Sequence, residues 1–492
     1  MKKFFTLFMA SLIAIASLAQ TKTRVPDEVL NKAVEMSNRN TNNVQMPFKV
    51  APSTKSVALA PQEIEVGHTY YDLQSNSSLA NRFYRYDDGS IVATWTGGME
   101  AAAFNDRGSF STYWTKLQDQ TWGWSINPDD VGRIEGYRAG WPSYAPYENG
   151  EIMVSHSSGI GLHKRDQVGT GDWSLVTQSI SSTSNSWPRA CVNNGTIHVL
   201  EGHQTSGTPM ENHVYYSRSK DGGQTWAPQG ETPELIGSDY YSTIAFSADD
   251  YVWAEPNNGV IAFAMFSNFA DLVIMKSEDD GDTWEKIIAW EHPIPFYNYN
   301  TMVYTDTLYA PNGSGNIVID DNGNCHIAFN VNRYLVTETG GSSSYFPALG
   351  HSFYWNETLD PFTDLNNQYD ALHAELHPEY LQDGRCILAY GFDFDGDGSW
   401  FGETTDGLTY YRCTGPITHI TMTQVSADRL VIAISLTDDS APLSAGGSTY
   451  YAKRIFLCSY VFNEIYEEWR FDTNWVTDPD MVSYDLFSET PT

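Results

Sequence analysis

The sequence predicts an all-β protein of short antiparallel strands, and three observations carry that expectation. From about residue 66 onward the chain falls into short alternating or apolar runs rich in Val, Ile, Tyr, Phe and Trp. Asp-Gly, Asn-Gly and Gly-Gly pairs separate these runs, and such pairs close tight hairpins. Few long helical periods interrupt the series. With 492 residues, 41% of them hydrophobic and 14% aromatic, the chain can build a sizeable core, which excludes wholesale disorder and a minimal disulfide-stapled scaffold.

Taken from the N-terminus, Met1-Lys2-Lys3 and the apolar stretch behind it end in small residues, Ser17 and Ala19, at signal-peptidase spacing. Residues 1–19 therefore read as a signal peptide, and the product as secreted or held at the cell surface. Residues 20–65 are polar, with Pro26, Pro47, Pro52 and Pro61, and read as a largely flexible leader with one weak helix at 26–39. Residues 66–492 form the β domain. No later segment has the ~20 apolar residues that a bilayer crossing needs, so membrane insertion is not expected.

The runs recur in pairs. Residues 140–156 and 186–203 share a Trp-Pro pair, a short run, a turn ending in Asn-Gly and a second strand. Trp141 and Trp187 are about 46 residues apart, near the length of one four-stranded propeller blade. An earlier copy spans 81–98, and looser ones follow at 240–268, 315–334 and 417–436. A two-layer sandwich does not explain such a period. The expected architecture is a six-bladed β-propeller of four-stranded antiparallel blades, with seven blades as the alternative because 340–416 is long and irregular. Residues 68–73 are the expected closing strand, pairing near 448–462.

Charge and cysteine usage narrow the function. The chain carries 61 acidic against 28 basic residues, a net charge of −33, which repels nucleic-acid phosphates and anionic lipids. Five cysteines (Cys191, Cys325, Cys386, Cys413, Cys458) show no Cys-x-x-Cys spacing, so zinc ribbons and redox motifs are absent. Most sit in apolar runs as small buried hydrophobes, and Cys386 and Cys413 are candidates for a bridge.

Two segments share the pattern Ser-x-Asp-x-Gly-x-Thr-Trp: Ser219, Asp221, Gly223, Thr225 and Trp226, then Ser277, Asp279, Gly281, Thr283 and Trp284. Residues 164–173 hold a degraded third copy. The aspartate can accept backbone N–H groups within the turn, the glycine supplies positive φ, and the tryptophan can pack beneath the hairpin. The pattern resembles the Asp-box, or BNR repeat, of sialidase-like secreted β-propellers. That resemblance covers about 66–475 and implies that Asp221 and Asp279 are structural, on outer hairpins away from the pocket. With the export signal and acidic composition, the chain also looks like secreted Bacteroidetes proteins, which often leave by type IX secretion. Sialidases combine an arginine cluster with a tyrosine nucleophile, a glutamate and an acid/base aspartate. Their Arg-Ile-Pro signature is missing here, where Arg82 and Arg85 stand without the proline, so sialidase activity is not expected.

In propellers the axial pocket is lined by loops entering each first strand and leaving each second strand. The repeat alignment then selects Arg82, Arg138, Trp141, Trp187, Arg189, Tyr240 and Tyr241 at the entries. At the exits it selects Trp95, His156, Glu201, His203, Asn268, Asn330, Asn332 and Arg333. Aromatic faces and forked arginines suit a sugar or an acidic sugar. Glu201 is the candidate acid/base on register alone.

Asp393, Asp395 and Asp397 form Asp-x-Asp-x-Asp-Gly with Gly398, a pattern of oxygen donors that fits Ca2+, although Thr404 replaces the twelfth-position Glu. No organic cofactor is expected. The function expected is an extracellular propeller that binds a glycan or glycoconjugate at its axial face. A glycan-active hydrolase or lyase, and a noncatalytic part of a cell-envelope or secretion assembly, are the alternatives.

Overall fold

The computed structural model describes residues 33–35, 64–71, 73–100, 103–182, 184–203, 213–242, 250–298, 301–337, 339, 344–347, 350–362, 386–389, 415–445 and 448–476. Asn-Gly turns do the local work. At 194–195 and 258–259 both residues take positive φ (48° and 81°, 51° and 84°), the turn geometry that matches strand twist in a tight hairpin.

A short β1 (Val34–Glu35) lies far from the remaining N-terminal strands in sequence. The first sheet holds β2 (Phe83–Arg85), β3 (Ile91–Gly97), β4 (Gly108–Lys116) and β5 (Trp122–Trp124). The second holds β6 (Gly140–Tyr147), β7 (Gly150–Ser157), β8 (Gly159–Arg165) and β9 (Ser174–Thr177). In the third, β10 (Ser186–Asn193), β11 (Thr196–His203) and β12 (His213–Ser219) are extended by one antiparallel bridge from Tyr216 to Glu231. The fourth has β13 (Tyr251–Trp253), β14 (Ile261–Met265), β15 (Leu272–Ser277) and β16 (Glu285–Trp290).

The fifth contains β17 (Tyr304–Ile319), β18 (Cys325–Val336), β19 (Ser344–Tyr345), β20 (His351–Asn356) and β21 (Cys386–Ala389), and β1 pairs with β19 at its side. The sixth is β22 (Ile417–Ser426), β23 (Arg429–Ala445), β24 (Ser448–Asn463) and β25 (Glu468–Val476). All pairings between these strands are antiparallel. Each paired run seen in the sequence supplies the first hairpin of one of these sheets.

The core is a succession of interfaces between consecutive sheets. Ile152, Leu162, Ala190 and Val199 join the second to the third, and Leu200, Tyr216, Trp253 and Phe263 the third to the fourth. Phe266, Ile317 and Phe329 continue into the fifth, and Ala328, Tyr354, Ile432 and Tyr460 into the sixth. First strands pack against their neighbours: β2 on β6, β6 on β10, β10 on β13, β13 on β17 and β17 on β22. Sheets buried on both faces read as nearly continuous apolar strands, as in Ile261–Met265, because each face meets a neighbour.

The segment before β2 crosses between sheets. Ser78 Oγ donates to Gly313 O of the fifth sheet (2.8 Å), while Ser78 O accepts from Arg189 Nη2 of the third (2.7 Å). One residue thus bridges the third and fifth sheets.

Three expectations change. The helix expected over 26–39 is not what Val34–Glu35 form, since β1 pairs with Tyr345 and Ser344, and pairing with a sheet edge overrides weak helical propensity. The segment expected to close against 448–462 lies on the first sheet instead, where Tyr70 N donates to Gly98 O (2.8 Å) and Gln74 Oε1 accepts from Thr96 N (2.9 Å). The third sheet has three strands plus a bridge rather than four. The signal peptide, Cys413 and the loop of Asp393, Asp395 and Asp397 lie outside the described residues. Cys191, Cys325 and Cys458 are buried free thiols. No helix among the described residues is long and apolar enough to cross a membrane.

Candidate ligand site at the first-strand ends

The two Trp-Pro copies fold alike. At both, register slips between the first strand and its partner, from Gly140 to Ser143 and from Ser186 to Arg189. Trp141 and Trp187 take φ of 54° and 50°, a left-handed geometry that costs a bulky residue ~1–3 kcal/mol and opposes the extended backbone favoured before proline. Both strained residues hold one side chain, His156 at the end of β7. The Trp141 ring stacks on it at 5.0 Å, and Trp187 N donates to its Nδ1 at 2.8 Å. Because Nδ1 accepts, the ring proton resides on Nε2.

The charges of four arginines act on this histidine. Its pKa is pushed down to about 3, first by loss of hydration and then by the charges of Arg107, Arg189, Arg138 and Arg82. Arg82 donates from Nε to Pro142 O (3.2 Å) and from Nη1 to Gln74 Oε1 (3.0 Å). Arg189, 1% exposed, is held by Ser78 and lies 5.8 Å from the Tyr251 ring. The Arg107 guanidinium sits over Trp141 (5.0 Å) and Tyr71 (5.3 Å), with Nε on Ala139 O (2.9 Å). Arg138 is exposed and donates to Phe104 O (2.9 Å). Among the described residues neither Arg107 nor Arg138 forms an ion pair. Glu135, the carboxylate close by, is buried and already accepts from Ser109 N (2.8 Å) and Ser155 Oγ (2.6 Å).

A second constellation adjoins it on β11. Glu201 is fully buried, with Oε2 accepting from Ser181 Oγ (2.5 Å) and Asn185 Nδ2 (2.9 Å) and Oε1 from Ser217 Oγ (2.8 Å). Burial pushes its carboxyl upward while the three donors oppose that shift. Asn185 Oδ1 lies 2.8 Å from His203 Nδ1; since the amide nitrogen already faces Glu201, that ring nitrogen carries the proton. His203 stacks on Tyr215 at 4.3 Å, and burial depresses its pKa.

Three of the selected residues make other contacts. Arg333 is buried over the Phe346 ring (3.7 Å) on β18. Tyr240 and Tyr241 precede β13 by about ten residues rather than entering it, and they line a separate cleft. Arg107 and Tyr71 escaped selection. Arg107 immediately precedes β4, whose start shares an end with the exit of β3, as the Gly97–Gly108 pairing shows. Extending the rule to third-strand starts finds it. Tyr71 has no such signal, because it belongs to the segment that crosses between sheets.

The two Ser-x-Asp-x-Gly-x-Thr-Trp segments lie at the opposite end of the sheets, after β12 and β15. Asp221 Oδ1 accepts from Thr225 N (2.9 Å) and Oδ2 from Thr225 Oγ1 (2.6 Å), and Asp279 repeats this with Thr283 (2.8 and 2.6 Å). These bonds, the threonine hydroxyl foremost, hold both carboxyls down to about 2. Gly223 and Gly281 combine positive φ with tight surroundings, a Cβ falling 2.2 Å from Leu162 Cδ2 and 2.4 Å from Tyr216 Oη. In 164–173 the turn is anchored differently, with buried Glu151 accepting from Gly169 N (3.0 Å) and pairing with Arg165.

No family model and no curated protein matches the chain. Among solved structures, a polysaccharide lyase of family PL25, an ulvan lyase bound to -[GlcA(1-4)Rha3S]-, aligns at TM-score 0.40 and 12% identity over 86% of this chain and 99% of its own. A Cellvibrio cellulosa α-L-arabinanase aligns at TM-score 0.32 and 9% identity (68% and 94%). A Trypanosoma rangeli sialidase mutant displaying trans-sialidase activity aligns at TM-score 0.34 and 11% identity (86% and 58%).

Proposed function

We propose that the chain is an exported, six-bladed Asp-box propeller whose first-strand ends bind an acidic saccharide. The observation that carries this reading is a neutral histidine, locked with its proton on Nε2, among four arginines in a protein of net charge −33. The groups gathered there are hydrogen-bond donors and cations, which complement carboxylate or sulfate oxygens. Tyr71, partly exposed beside Arg107, adds an aromatic side chain suited to a sugar ring. The strain at Trp141 and Trp187 supports a role beyond packing, since such backbone persists where a site needs it.

Arg138 offers the clean test because it is exposed and, among the described residues, its one hydrogen bond is to a carbonyl. Calorimetric titration with oligogalacturonate should show binding that weakens about tenfold or more in Arg138→Ala, as expected for a charge-assisted hydrogen bond of ~1.5–3 kcal/mol. No binding of oligogalacturonate or of a sulfated oligosaccharide ends the reading.

The Glu201–Asn185–His203 chain favours a second reading, a glycan-active enzyme in which Glu201 orients His203 through Asn185 and the imidazole carries the proton. New reducing ends or unsaturated product, abolished in His203→Gln with folding intact, would select it over simple binding.

A further inference from the structure

A cleft of about 190 Å³ opens beside the fourth sheet, between Tyr240–Ser242, the β14–β15 connection and the segment after β16. Its floor carries Lys286, whose Nζ lies 4.0 Å from the Tyr240 ring centroid and 5.2 Å from that of Tyr241. Among the described residues this half-buried ammonium makes no hydrogen bond and no ion pair, so its three donors face rings and the cleft.

The walls are fixed around it. Tyr241 Oη donates to Asp271 Oδ2 (2.8 Å), while Asp271 Oδ1 accepts from His292 N (2.8 Å). The rim is aromatic and open, with Phe296 47% exposed at φ 52° and Tyr240 42% exposed.

We infer that this cleft is a saccharide site for one neutral pyranose ring, distinct from the arginine centre and independent of it. An exposed aromatic face stacks on the apolar face of a sugar, and the ammonium donates to its hydroxyl oxygens. The volume suits one ring, since sites for drug-sized ligands run to ~300–1,000 Å³. Charge selects against an acidic ring: Asp271 stands in the wall and Glu291 at the lining, two carboxylates against one ammonium. Glu291 is exposed and accepts hydroxyl donors, so the cleft supplies both hydrogen-bond senses that a polyol requires.

The test titrates the full chain with xylo-, cello-, manno- and galacto-oligosaccharides, read by calorimetry and saturation-transfer NMR. Lys286→Met keeps the packing of the stem and removes the charge. Phe296→Ala alters only an exposed rim residue and keeps the test valid should the lysine variant misfold. Arg138→Ala reports on the other site. At least one neutral oligosaccharide should bind, about tenfold more weakly in Lys286→Met and in Phe296→Ala and unchanged in Arg138→Ala. Absence of binding by the whole panel, binding indifferent to both cleft variants, or loss in Arg138→Ala alone overturns the inference. Failure of acidic-sugar binding leaves it standing, because no residue is shared.

Discussion

His156 shows how much chemistry one side chain inherits from its neighbours. An ordinary histidine changes charge near 6.5, but here Trp187 N–H occupies Nδ1 and four guanidinium groups oppose a second proton. The ring should stay neutral, with its proton on Nε2, from pH 8 down to about pH 4. Long-range nitrogen–proton NMR reads both tautomer and titration directly, and a midpoint near 6.5 would contradict this account. The stability consequence has a definite sign. Between 6.5 and about 3 the unfolded chain takes up a proton that the folded site refuses, so stability is lost as pH falls through that window. His156→Gln should flatten that part of the profile. Arg107 completes the lesson: its position beside β4 is local, but its meeting with Trp141 and His156 is not.

At the scale of the element, the two Ser-x-Asp hairpins use the same internal bonds yet differ in reach. In the first, Gly222 occupies the position that Asp280 takes in the second. Asp280 extends to the third sheet, accepting from Asn193 Nδ2 (2.8 Å) and Thr196 Oγ1 (2.5 Å) and lying 3.2 Å from His198 Nε2. The first hairpin also meets a neighbouring sheet, with Gly223 O accepting from Thr177 Oγ1 (2.7 Å), so disordering either loosens an interface, the second through the two bonds that Asp280 accepts. Asp279→Ala should lower Tm more than Asp221→Ala, as thermal unfolding followed by circular dichroism will show. Equal shifts, or the reverse order, would mean that the reach of Asp280 is energetically idle. Both aspartates stabilise above the unfolded value of 3.8, and that contribution disappears as pH falls toward about 2.

On the whole-molecule scale, the segment before β2 ties the sheets together where their first strands meet. Ser78 is buried, and besides donating to Gly313 O its hydroxyl accepts from Gly315 N (3.3 Å). Ser78→Ala leaves two buried backbone groups short of a partner and should cost ~1–3 kcal/mol by denaturant titration. The carbonyl of Ser78 that accepts from Arg189 survives the substitution, so affinity for an acidic sugar should change little. An unchanged midpoint would show that water or relaxation replaces the link.

The six hairpins, the Asn-Gly turns of four of them and the paired Ser-x-Asp segments were all legible in the chain, because alternation and turn chemistry act over a few residues and leave a local mark. The clustering of Arg82, Arg138, Trp141, His156, Trp187 and Arg189 followed from repeat register once the sheets were taken to share a centre. Only the tertiary structure brought in Arg107, Tyr71 and Ser78, turned Tyr240 and Tyr241 toward a cleft of their own, and joined Glu201 to His203 through Asn185. Those meetings depend on how separately formed sheets stack and on a connecting segment that crosses between them. Contacts over such sequence distances carry no periodicity of their own, so no local pattern announces them.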